Sequence, residues 1–143
     1  MGKQQIEWWF GCITWRAKMN NNYEEEGFVS IWIGKLTGDE LNAYLQEDYS
    51  ADGDSIPSAF ANDIGVVWYD SDFQDAIATE RNENMRSLVE RLSYSSTFYP
   101  PLMGSLVEEG TAIIALYDYR FSGQMPPNAK VQFVGVFNYK KND

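Results

Sequence analysis

The chain contains no histidine, which removes Ser-His-Asp and Cys-His catalysis together with His-ligated zinc. Any enzyme built on it has to work with carboxylates, tyrosines or lysines. Cysteine occurs once, at Cys12. An internal disulfide is thereby excluded, a reducing compartment fits, and an ordinary buried or half-buried thiol is expected there. Long apolar runs are missing too: Trp8–Trp15 and Thr111–Tyr117 fall far below the ~18–20 residues of a bilayer span. Gln4, Gln5 and Glu7 interrupt any signal-peptide core, so the expectation is a cytoplasmic protein without a membrane partner. Basic residues are scarce, with 11 Lys and Arg against 21 Asp and Glu and a net charge of −10. That balance disfavours nucleic acid as a partner, because phosphate affinity needs clustered bases, and favours a basic partner instead.

The scarcity of bases is local. From Leu36 to Glu80 there is no Lys or Arg, while eleven carboxylates occur: Asp39, Glu40, Glu47, Asp48, Asp52, Asp54, Asp63, Asp70, Asp72, Asp75 and Glu80. The rest of the chain is close to neutral, so the charge belongs to this window. Leu41, Tyr44, Leu45, Tyr49, Phe60, Ile64, Trp68, Tyr69 and Phe73 are interleaved with the acids. A solvated acidic tail would lack them, and the window is expected to fold into an acidic face.

Residues 1–27 differ in character from the remainder of the chain and are set apart as an N-terminal extension, with 28–143 as one domain. Three tryptophans in this segment, Trp8, Trp9 and Trp15, fit an added edge strand docked on the sheet. An upstream extension before an alternative start at Met19 fits equally, and both readings stay open. Phe28–Gly34 is β-branched and aromatic, with Ser30 its only polar position before the glycine, and predicts a central strand. Thr37-Gly-Asp-Glu40 is a capping box that opens a helix over about 38–48. Asp48 to Pro57 predicts a loop. A short helix carrying Phe60 and Ile64 and closed by Gly65 comes next, then a short strand at Val66–Tyr69. Phe73–Thr79 fits strand or helix, with strand preferred. Met85, Leu88, Val89 and Leu92 predict a helix over about 83–93, capped by Asn82 or Asn84.

Residues 93–110 read as an irregular connection. Thr111–Tyr119 is apolar without alternation, as in a strand covered on both faces. With Val131–Tyr139 it would most simply form an antiparallel hairpin. The pattern predicts a single α+β domain with a mostly antiparallel sheet of about five strands and two to three helices packed on it.

Single motifs carry little. Asp48…Asp52-Gly53-Asp54 invites calcium, yet Ser50 and Ala59 break the EF-hand pattern, and turn formation explains the same residues. Asp70, Asp72, Asp75 and Glu80 beside Trp68 and Tyr69 invite a carboxylate-based hydrolase or a carbohydrate-binding module, although Asp-x-Asp turns are common on surfaces. Taken together the acids make a negative field that steers a basic partner, with Tyr49, Trp68 and Tyr69 as anchors. Plain solubility is the competing explanation of the charge.

Val29-Ser-Ile-Trp-Ile-Gly34, Leu45-Gln-Glu-Asp-Tyr-Ser-Ala-Asp-Gly-Asp-Ser-Ile-Pro-Ser-Ala-Phe60, Asp63-Ile-Gly65 and Tyr69-Asp-Ser-Asp-Phe73 resemble the bacterial immunity protein family twenty-two over roughly Phe28 to Tyr139. The resemblance implies a cytoplasmic antitoxin of a polymorphic-toxin system that binds a cognate secreted toxin domain. It implies no enzyme and carries over no catalytic residue; no metal and no cofactor are expected. The family pattern places its recurrent Trp at Trp32, its Asp-Gly-Asp at 52–54 and its Tyr-Asp-x-Asp at 69–72. Many secreted antibacterial toxins are nucleases with basic clefts, which an acidic protein can occlude. Asp48, Tyr49, Asp52, Asp54, Trp68, Tyr69, Asp70 and Asp72 are the expected partner-binding residues.

Overall fold

Val29, Ile31 and Ile33 alternate with Ser30 and Trp32, and all five are buried. A strand with bulky side chains on both faces requires cover on both, and both of its edges are paired as well. In the computed structural model, which describes residues 22–98 and 109–141, this strand is β1 (Glu24–Gly34). It lies between β5 (Glu109–Tyr119) and β6 (Val131–Asn138), and β4 (Gln74–Asn84) pairs with the far edge of β5. The order β4-β5-β1-β6 is antiparallel throughout. Ser30 is satisfied locally: its hydroxyl donates to the Tyr119 carbonyl at 2.7 Å and accepts from the Phe121 amide at 2.9 Å. The one polar side chain in the run therefore ties the exit of β5 to the middle of β1.

Each sheet face carries its own helices. On one face lie α1 (Gly38–Leu45) and α2 (Ala59–Ile64), whose Leu41, Tyr44, Phe60 and Ile64 pack with Trp32, Ile114 and Leu116. The capping box forms as the sequence predicts, with Glu40 N–H donating to Thr37 Oγ1 and Thr37 N–H to Glu40 Oε1. Ser58 caps α2, and Gly65 closes it at φ 79°, the left-handed region where a glycine costs least. On the other face lie α3 (Met85–Glu90), capped by Asn84, and α4 (Ser95–Phe98). Leu88, Val89, Leu92 and Phe98 there pack on Val29, Ile31, Ile33, Ile113 and Ala115. The result is an α+β domain with a helical layer on either side of a four-stranded antiparallel sheet.

Two expectations are corrected. The last two long strands do not form a hairpin, because β1 sits between them and takes its hydrogen bonds from both. Val66–Tyr69 is not a strand: Val66 and Tyr69 are buried while Val67 and Trp68 are exposed, a spacing of three that no pleat produces. Two-residue strands β2 (Asp48–Tyr49) and β3 (Ser55–Ile56) pair instead within the expected loop. The 93–110 connection starts with α4, and its middle, 99–108, lies outside the described residues, as do Cys12 and the proposed docked strand before residue 22.

Candidate partner-binding surface

β1 and β5 end together, and the way they end makes the site. Glu24 pairs with Tyr119, but the next pair is Val29 with Tyr117, so residues 25–28 bulge out opposite Asp118. Gly27 turns there at φ 90° and Asp118 sits in the left-handed region at φ 55°. An aspartate tolerates that conformation better than most residues. This one is also held by three bonds: its carboxylate accepts from the Gly27 amide at 3.0 Å, the Tyr139 hydroxyl at 2.8 Å and Lys141 Nζ at 2.6 Å. Partial burial works against the charged form, yet Lys141, the Gly27 N–H and the Tyr139 hydroxyl together hold the carboxyl below the usual range. The kink has a geometric consequence. Leu116 and Tyr119 pack in one core cluster and Tyr117 in the other, so the alternation of β5 is reset at Asp118.

The Asp70–Phe73 turn meets this strand end. Asp70 caps the 3-10 turn Ser71–Phe73 through Oδ1, which accepts from the Asp72 amide at 3.0 Å. Phe73 is left 44 % exposed. Between the turn and the strand ends is a cleft of about 290 Å³ lined by Glu24, Glu25, Glu26, Asp70, Phe73 and Tyr119, among others. A second cleft of about 310 Å³ shares Phe73 and Tyr117 and adds Asp72, Asp75, Tyr94, Tyr139 and Lys141. Lys141 stands at the join, its Nζ 5.6 Å from the Phe73 ring centroid, a weak cation–π contact. Tyr94, Tyr117 and Tyr139 form a ring cluster with centroids 5.2–5.6 Å apart. Asp75 Oδ2 accepts from both the Tyr117 hydroxyl at 2.8 Å and the Ser93 amide at 2.9 Å. Burial first, and then this bond to Asp75, push the Tyr117 hydroxyl well above its ordinary value.

The eight expected contact residues do not fall together. Asp48, Tyr49, Asp52 and Asp54 lie on the β2–β3 hairpin, exposed, with Tyr49 67 % accessible. Its tip is held by Ser50: the Ser50 amide donates to the Asp54 carbonyl at 2.8 Å and the Gly53 amide to the Ser50 carbonyl at 2.9 Å. Asp70 and Asp72 lie at the clefts instead, and Trp68, two residues before Asp70, is 52 % exposed. Tyr69 is a core residue, 4 % exposed, packed edge-on against Phe60 and donating from its hydroxyl to Gln74 Oε1 at 2.5 Å. The residues that sequence reasoning passes over are Glu24–Glu26, Tyr94, Asp118 and Tyr119. One signal was present: a lone Asp inside Tyr117-Asp-Tyr119, the end of an otherwise apolar strand.

Among the described residues no three His, Cys, Asp or Glu are grouped to hold a metal ion, and no helix is long and apolar enough to cross a membrane. Asp75 lines the second cleft together with Asp72, and its Oδ2 is taken up by Tyr117 and Ser93. No curated protein and no solved structure matches the chain. A family model described as Immunity protein 22 matches residues 29–140, more than three quarters of the sequence, from the buried half of β1 through the Asp70–Phe73 turn to the end of β6. The chain belongs to the immunity protein 22 family.

Proposed function

We propose that this protein is a cytoplasmic antitoxin that neutralises a cognate secreted toxin domain by binding it directly and covering its working surface, without catalysis of its own. The observation that carries this reading is the convergence at one end of the sheet of Glu24, Glu25 and Glu26 with Asp70 and Asp72, beside the exposed ring of Phe73. Few cations offset those acids among the described residues: Arg120 lies 3.6 Å from Glu25, and Lys141 is bonded to Asp118. The hairpin acids Asp48, Asp52 and Asp54, with Tyr49 and Trp68, complete the proposed contact set.

Such a surface fits a basic protein. A nuclease domain is the partner class that matches best, since carboxylates can stand where its substrate's phosphates would bind. Long-range attraction sets the encounter rate, and the exposed rings supply short-range affinity. The association rate with the toxin domain encoded beside this gene is therefore expected to fall by about ten-fold or more between low and high salt. Glu24→Gln, Glu25→Gln, Asp70→Asn and Asp72→Asn in combination should lower it at low salt and flatten that dependence. Stopped-flow association measures both, and a rate indifferent to salt and to these substitutions would sink the proposal.

A further inference from the structure

Tyr119 is 5 % exposed, and its hydroxyl has no hydrogen-bond partner among the described residues. A buried hydroxyl left unpaired costs free energy comparable to a lost hydrogen bond, so its position asks for a ligand. The kink at Asp118 turns this residue to the face of Leu116, where it lines the 290 Å³ cleft with Glu24, Asp70 and Phe73. Of the other polar side chains of that cleft, the Tyr69 and Tyr117 hydroxyls are already spent on Gln74 and Asp75, and the rest are carboxylates. Asp70 uses Oδ1 for the Asp72 amide, which leaves its second oxygen, and the glutamates of β1 that line the cleft are exposed.

We infer that this cleft receives one arginine side chain of the partner, its guanidinium bridging the Asp70 carboxylate and the buried Tyr119 hydroxyl. This rests on the direct-binding reading above and names the group that reading would place at its centre. Arginine fits better than lysine for three reasons. A planar fork can donate to two separate acceptors at once, whereas an ammonium is a point donor. Guanidinium is the more weakly hydrated cation, so it enters a half-buried cleft at lower cost. Its flat faces stack on an aromatic ring, and Phe73 forms one wall. Burial, with Tyr23 and Glu24 nearby, pushes the Tyr119 hydroxyl above its ordinary value and keeps it neutral. A neutral oxygen still accepts from a cation, and no second buried charge is needed.

The test needs no toxin. Nα-acetyl-arginine amide is titrated into the full-length protein and followed by two-dimensional NMR, with Nα-acetyl-lysine amide in parallel. Saturable shifts at Glu24, at Asp70 to Phe73 and at Tyr119 are expected with arginine and weaker ones with lysine. Tyr119→Phe, which keeps the ring, should weaken arginine binding about ten-fold, the loss of one hydrogen bond to a charged group. Asp70→Asn keeps the turn's cap and should do the same, so the test survives if one variant folds poorly. Equal, unsaturable shifts with both probes across the hairpin acids as well, or Tyr119→Phe binding like the parent, would overturn the inference. Arginine binding in the cleft beside salt-indifferent toxin association would overturn only the proposed function, and the converse would overturn only this one.

Discussion

Asp118 shows how one residue fixes the geometry of the candidate site. Its backbone is in the left-handed region, which costs an ordinary residue roughly 1–2 kcal/mol, and its carboxylate collects Gly27, Tyr139 and Lys141. Replacement by Ala would incur the backbone cost and leave a buried donor or two unpaired. Replacement by Gly loses the same bonds without the backbone strain. Asp118→Gly is therefore expected to be more stable than Asp118→Ala by about 1 kcal/mol, the reverse of the usual order, and Asp118→Asn should lie nearest the parent. Urea titration ranks the three, and Ala above Gly would contradict the account of the kink. The pH dependence has a definite sign. Because the folded carboxyl is held below its ordinary value, its contribution is fully present above the unfolded value near 4 and is lost as pH falls through the lowered one.

Secondary elements were legible where their determinants are neighbours in sequence. The Thr37–Glu40 box, the Asn84 cap and the Gly65 terminator each satisfy a helix end within a few residues, and the helices followed from them. Strand order was not legible, because the choice between β6 and β1 as neighbour of β5 is made by pairing residues as far apart in the chain as Glu24 and Tyr119. The same limit hid half the cleft. Asp70 and Asp72 stood out as a local turn, whereas Glu24–Glu26 lay outside the acid-rich window and reach it only through the pairing of Glu24 with Tyr119.

The β2–β3 hairpin is the opposite case, local in its contacts and exposed along its length. Gly53 at φ 87° is its tightest point, with open space where a Cβ would go. Gly53→Ala should therefore cost the hairpin roughly 1 kcal/mol through the backbone alone. A unit that opens independently of the core would show this as faster amide exchange at Ser50, Gly53 and Asp54 with an almost unchanged Tm. A Tm lowered by several degrees would instead make the hairpin part of the cooperative fold.

At the scale of the whole molecule, the core is unusually dependent on tyrosine hydroxyls staying protonated. Tyr44, Tyr69, Tyr117, Tyr119 and Tyr139 lie in the two clusters on either side of the sheet. Burial is the first cause that raises each of them above the ordinary value of 10. Tyr44, Tyr117 and Tyr139 also donate to Asp63, Asp75 and Asp118, and an ionised tyrosine there would face a carboxylate. A folded value above the unfolded one means that the native state holds protons the unfolded chain releases. Stability is then fully present below pH 10 and falls as pH rises past it, by roughly 1.4 kcal/mol per pH unit for each such tyrosine. Against a typical margin of about 5–15 kcal/mol, five groups acting together should unfold the domain within about one to two pH units above 10. Absorbance at 295 nm is followed together with circular dichroism, and the native circular dichroism should hold at first. A single cooperative step should come next, in which the buried tyrosines ionise as the near-ultraviolet signal collapses. If all five titrated gradually while the native spectrum persisted, their hydroxyls would be reaching water, and the two clusters would not be the sealed layers that hold the cleft in shape.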